Sequence, residues 1–228
     1  MTKTSALAQS PERRGLAFHG SVVCWPPTIL SWTLASFLIA VAVAIGVTFF
    51  GDGSDRMGLA LRWTGRWSFL LFWLAYVGSA MATLFGPRFA GVARHGREFG
   101  LSFASAHLVH VGLILWLYFI ASEPIGAMIF FWVAVLCTYL LVLFSLPALQ
   151  GALGPRLWRM CRTIALNYIA LAFADDFVFG PLHSGYSRSK LLFAIMLVSG
   201  VILRFTAFVR RMTDSGSSHP CPVAPSQP

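Results

Sequence analysis

Charge is what this sequence has least of. Only 11% of its 228 residues are charged, and Asp and Glu together number 8 against 17 Lys and Arg. A water-soluble domain carries about a quarter charged residues, so water cannot be the main solvent of this chain's surface. Cysteine is scarce as well, with 4 residues, Cys24, Cys137, Cys161 and Cys221. None forms a CxxC pair, a haem-attachment CxxCH or a zinc-ligand spacing, and no disulfide framework follows from them. They read as small side chains tolerated in apolar surroundings. Also missing are a dinucleotide-binding Gly-x-Gly-x-x-Gly, a P-loop and a nucleophile elbow, the polar–apolar alternation of a membrane barrel, and any repeat at a fixed period.

What is present is grease in long runs. The chain is 57% hydrophobic, with a mean hydropathy of +0.73. After a polar, basic stretch broken by Pro26 and Pro27, the apolar segments are Thr28–Phe50, Trp67–Leu84, Leu101–Ile120, Ile125–Leu146, Thr163–Phe179 and Leu191–Val209. A hydrocarbon core of about 30 Å needs about 20 helical residues, and lipid leaves a spanning backbone no alternative but to bond within itself. The expected fold is therefore all-α, a polytopic six-helix transmembrane bundle over 28–209. It is flanked by a cytoplasmic segment, 1–27, and a disordered cytoplasmic tail, 210–228, rich in Ser and Pro. The first run is too long for a signal-peptide core and has no small-x-small site behind it, so it is read as a retained span. The fifth run is the weakest, because it contains Asn167 and ends in Asp175 and Asp176, and the sixth must accommodate Arg204.

The net charge of +9 is spread in short clusters between apolar runs, the way topology is encoded, and does not point to nucleic acid. With the amino terminus inside, only Arg56, Arg62, Arg66, Arg188 and Lys190 fall outside. The other basic residues fall inside, which puts both termini in the cytoplasm, with the composition pointing to a bacterial inner membrane. Trp25, Trp32 and Trp158 then lie near the inner interface and Trp63, Trp67 and Trp116 near the outer one, where indoles are favoured. Trp73 and Trp132 lie deeper.

Polar groups at membrane depth are costly and mark functional candidates. His107 and His110 lie three apart on one face of the third segment, with Gly100, Phe103 and Ile114 near the same stripe. His110 stands about 15 Å along the helix from Gly100, near mid-membrane. Each imidazole wants a hydrogen-bond partner on a neighbouring helix, a place in a proton path, or a metal such as haem iron. Asp175 and Asp176 read as a solvated helix end, and Arg156, Arg159 and Arg162 as topology signals that touch anionic lipid headgroups.

The opening Arg97-Glu98-Phe99-Gly100 followed by His110, together with Leu153-Gly154-Pro155-Arg156-Leu157-Trp158-Arg159, resembles the ferric-reductase-like transmembrane superfamily. That superfamily includes the haem-binding membrane subunit of the methionine sulfoxide reductase system. The resemblance covers roughly residues 60–180. It implies b-type haem between the third and fifth spans, with His110 as an axial ligand of the iron and His107 beside it. It also implies an electron path from a cytoplasmic flavoprotein or quinol to an outer-side acceptor. The chain departs from the family at the fifth span, where the two expected histidine positions hold Cys161 and Ala174. The position for a further third-span histidine holds Glu123. His183, in the last outer loop, is an alternative partner. Three functions follow as expectations: a haem-binding electron-transfer subunit, a haem-less membrane scaffold or assembly partner, and a small ion or proton transporter using His107, His110 and Asp175. No flavin or nicotinamide domain fits beside six spans, so a redox role requires an external donor.

Overall fold

The computed structural model describes residues 27–50, 55–121, 129–184 and 188–216, and among them the chain is helical. Helix α1 (Pro27–Phe50) opens on a proline, whose missing N–H costs nothing in a first turn. Its buried residues, Ile29, Ser36, Ala40 and Ala44, form one mostly small stripe, while Leu30, Leu34, Leu38 and Phe49 face outward. Large side chains exposed all along a helix are stable in lipid and not in water.

Helix α2 (Arg56–Phe85) is the hub and packs on α1, α4 and α8. It starts well before the apolar run at Trp67 because Asp55 caps it, with Oδ1 accepting the Gly58 N–H at 3.2 Å while the carboxylate also pairs with Arg62. Phe69, Phe72, Tyr76 and Val77 of α2 are buried at the centre of the bundle. A 3-10 turn (Gly86–Phe89) and the short α3 (Ala90–Arg94) then lead to α4 (Gly96–Ala121). Helix α3 is tucked so close to α2 that a Cβ on Gly78 would lie 3.1 Å from the Val92 carbonyl.

Helix α5 (Ile129–Phe144) and α6 (Pro147–Ala174) pack chiefly on each other. Within α6 the helix is broken at Gly154, whose φ of 73° suits glycine alone, and Pro155 starts the long apolar part. The Gly154-Pro155 turn expected before the fifth span is thus present. A π-helical turn (Asp175–Phe179), α7 (Gly180–Ser184) and α8 (Arg188–Gly216) follow. Helix α8 continues past Val209, the end of its apolar run, as far as Gly216.

Five described helices are long and apolar enough to cross a membrane: Pro27–Phe50, Arg56–Arg94, Gly96–Ile120, Gly154–Leu182 and Arg188–Asp214. The architecture is that of a helical membrane bundle. The described part of the fourth apolar run, α5, has 16 residues, which at 1.5 Å per residue is about 24 Å, short of a bilayer core. The rest of that run before Ile129 lies outside the described residues, as do Glu123, Cys24 and Cys221.

Trp73, too deep for an interface indole, has a specific reason to be there. Its Nε1–H donates to the Met196 carbonyl of α8 at 2.6 Å, and Gly200 leaves room, since a Cβ there would meet that nitrogen at 3.0 Å. Beside it, Tyr76 Oη hydrogen-bonds Asn167 Oδ1 at 3.1 Å, and Arg204 stacks its guanidinium over the Tyr76 ring at 4.3 Å. Both difficult polar residues of the last two spans are therefore paired with the hub helix, as buried polar groups in lipid must be.

Candidate functional site

His107 and His110 meet on the face of α4 expected from their spacing, with ring centroids 5.9 Å apart. His110 turns toward α2. Its Nδ1 lies 3.1 Å from Thr64 Oγ1, and the ring also hydrogen-bonds the Leu61 backbone. Thr64 Oγ1 also reaches the Ala60 carbonyl at 2.8 Å and the Leu61 carbonyl at 3.2 Å, so the threonine hydroxyl links the α2 backbone to the imidazole of α4. Gly65 admits the imidazole: a Cβ there would stand 3.2 Å from His110 Cε1.

His107 has a different environment. It is buried, packed against Phe103 at 5.2 Å and Phe131 of α5 at 6.3 Å between centroids. Its Nδ1 has no hydrogen-bond partner. A stranded polar atom in an apolar wall is unfavourable. Two more stranded atoms, Glu98 Oε2 and Ser102 Oγ, lie on the same helix.

Aromatic rings join α4 to α6 at one level of the bundle. Phe103 lies 6.2 Å from Phe173, and Phe72 of α2 is within 5.4 Å of the former and 5.3 Å of the latter. Phe69 joins Phe173, Phe177 and Phe193 at 5.1, 5.1 and 5.6 Å. Cys161 is half-buried and free. Ala174 lines the groove against α8, together with Leu197 and Val201, rather than the space toward His110. The residues present therefore do not fit a b-type haem held between α4 and α6 at the two family positions. Both candidate imidazoles are on α4, and the family positions on α6 hold no imidazole to complete a ligand pair. Among the described residues no group of three His, Cys, Asp or Glu side chains is arranged to hold a metal ion. The backbone of His183 belongs to α7, and its side chain lies outside the described residues.

At the end of the bundle where α8 begins, Asp176 sits in the field of Lys190 and Arg66, and Arg66 donates to Ser189 Oγ at 2.8 Å. Asp175 and Asp176 are exposed there and do not join the histidines.

Sequence reasoning found both imidazoles but neither Thr64 nor Gly65. They precede the apolar run at Trp67 in a stretch that also holds Arg62 and Arg66, and the only signal was a Thr-Gly pair within helical reach of the span. No family model, no curated protein and no solved structure matches the chain.

Proposed function

We propose that this chain is a six-span protein of the bacterial inner membrane with both ends cytoplasmic. We infer that it is related by descent to the ferric-reductase-like superfamily and acts as a haem-less membrane scaffold or assembly partner. The observation that carries the scaffold reading is the His110–Thr64 hydrogen bond. The imidazole at the family's ligand position fastens α4 to α2, while the contact of α4 with Phe173 of α6 is made by Phe103. The sixth span is the run 125–146, of which α5 is the described part. The orientation draws support from arginines gathered at one end. Arg210 and Arg211 of α8 bond the Leu84 carbonyl and Thr83 Oγ1 at 3.4 and 2.7 Å, next to α3 with its Arg94. A basic end of this kind faces the cytoplasm.

One observation favours a second reading, a b-type electron-transfer subunit served by a cytoplasmic flavoprotein or quinol. His110 is a buried imidazole at the family's ligand position, oriented by a hydrogen bond to Thr64, as iron-ligating imidazoles are oriented by a neighbouring group. A reduced-minus-oxidised spectrum of the full chain purified in detergent separates the two readings. The scaffold reading expects a folded, colourless protein. A stoichiometric b-type band that disappears in His110→Ala overturns it.

A further inference from the structure

The largest concentration of unspent chemistry is not at the histidines. At the basic end of the bundle a cavity of about 300 Å³ opens between α2, α3, α4, α5 and α6. Its two ends differ in kind. One is lined by the guanidinium-bearing residues Arg94, Arg97 and Arg162, with Gln150 and Trp158, and the other by Phe72, Phe103, Leu141, Leu166 and Ile169. Arg94 and Arg97 flank the junction of α3 and α4, and Arg162 reaches the same hollow from α6, far away in the chain. Arg97 donates to the Ser145 carbonyl at 3.0 Å, which aims that side chain across the cavity toward α5.

Among the described residues no carboxylate lines the cavity. Arg162 also feels the positive charge of Arg204, and among the described residues neither has a carboxylate within ion-pair reach. Guanidinium groups gathered on one side of a partly apolar hollow attract an anion. Guanidinium forks match phosphate oxygens in pairs. A phosphate alone would leave the phenylalanine and leucine floor unused, whereas an acyl chain fits it. The indole of Trp158 at the mouth is the side chain favoured at headgroup depth. Gly100 keeps the hollow open, because a Cβ there meets nothing within 4 Å.

We propose that this cavity is a binding site for an anionic phospholipid, with its phosphate held by Arg94, Arg97 and Arg162 and the start of an acyl chain lying on the Phe72–Phe103–Ile169 floor. The site is independent of whether haem is bound, since neither His107 nor His110 lines it.

Native mass spectrometry of the full chain in detergent tests it, using phosphatidylglycerol, phosphatidylcholine and inorganic phosphate as separate probes. The expected result is one retained phosphatidylglycerol per chain at concentrations where phosphatidylcholine leaves none. Arg162→Gln should weaken that adduct about tenfold, the loss of one charge-assisted hydrogen-bonding group. Gly100→Leu should abolish it without altering any charge, and an unchanged melting temperature in lipid-free detergent will show that this variant is folded. Equal retention of phosphatidylcholine by the wild-type chain overturns the proposal and needs no variant. So does an adduct unaffected by Gly100→Leu. Stabilisation by inorganic phosphate with no lipid adduct would assign the arginines to a soluble anion and overturn the lipid assignment.

Discussion

His110 and Thr64 join α4 to α2 through one hydroxyl, which also reaches the backbone of its own helix. Thr64→Val keeps the volume and removes the hydroxyl, so it should destabilise the protein by about 1 kcal/mol, within the range of hydrogen bonds between membrane helices. Thr64→Ser should be close to neutral, and thermal unfolding in detergent distinguishes the two. Gly65→Ala should also destabilise, because its Cβ would press on His110 Cε1 at 3.2 Å. That cost should vanish in a His110→Ala background, a coupling that a double-mutant cycle measures. His107 predicts the opposite sign. Its stranded Nδ1 contributes no bond, so His107→Phe should leave stability unchanged or raise it by up to about 1 kcal/mol. A clear loss of stability would mean that this nitrogen has a partner in the membrane.

The helices were legible wherever lipid is the solvent and illegible where a side chain decides. The apolar runs located α1, α4 and α8 to within a few residues at their greasy ends. They placed the start of α2 too late, because Arg56, Arg62 and Arg66 look like loop and the Asp55 cap that holds them in helix is a single residue. They placed the two histidines on one face, since three residues is nearly a helical turn. They did not supply Thr64 or the convergence of Arg94, Arg97 and Arg162, which depends on how separate helices lean together. The break in α6 was readable from Gly154-Pro155, and it carries a prediction at this scale. With φ at 73° and ψ at 159°, Gly154 occupies a region essentially reserved to glycine, so Gly154→Ala and Gly154→Asn should each lose about 1–3 kcal/mol. Melting temperatures of the two variants will check that neither is tolerated.

Among the described residues, basic side chains are more numerous at the end that carries Arg94, Arg97 and Arg210 than at the end that carries Arg56, Arg62, Arg66, Arg188 and Lys190, while lipid-facing Leu, Ile and Phe cover the middle. If the run 125–146 completes a sixth crossing, reporter fusions at both termini should report the same, cytoplasmic side. Opposite sides would remove a span and leave α5 as a helix that does not cross. Within the bundle the helices are unequally joined. Helices α1, α2, α4 and α8 pack along their lengths, whereas α5 and α6 lie mainly on each other. This pair is tied to the others by phenylalanine rings and by isolated hydrogen bonds such as Tyr76 to Asn167 and Tyr139 to the Ala104 carbonyl, the latter stretched to 3.5 Å. During synthesis such a pair can leave the insertion machinery already zipped as a hairpin and dock on α1, α2 and α4 before α8 closes against α2. The arginine-lined hollow lies along that seam, so a phospholipid wedged there would act as mortar between two separately laid courses.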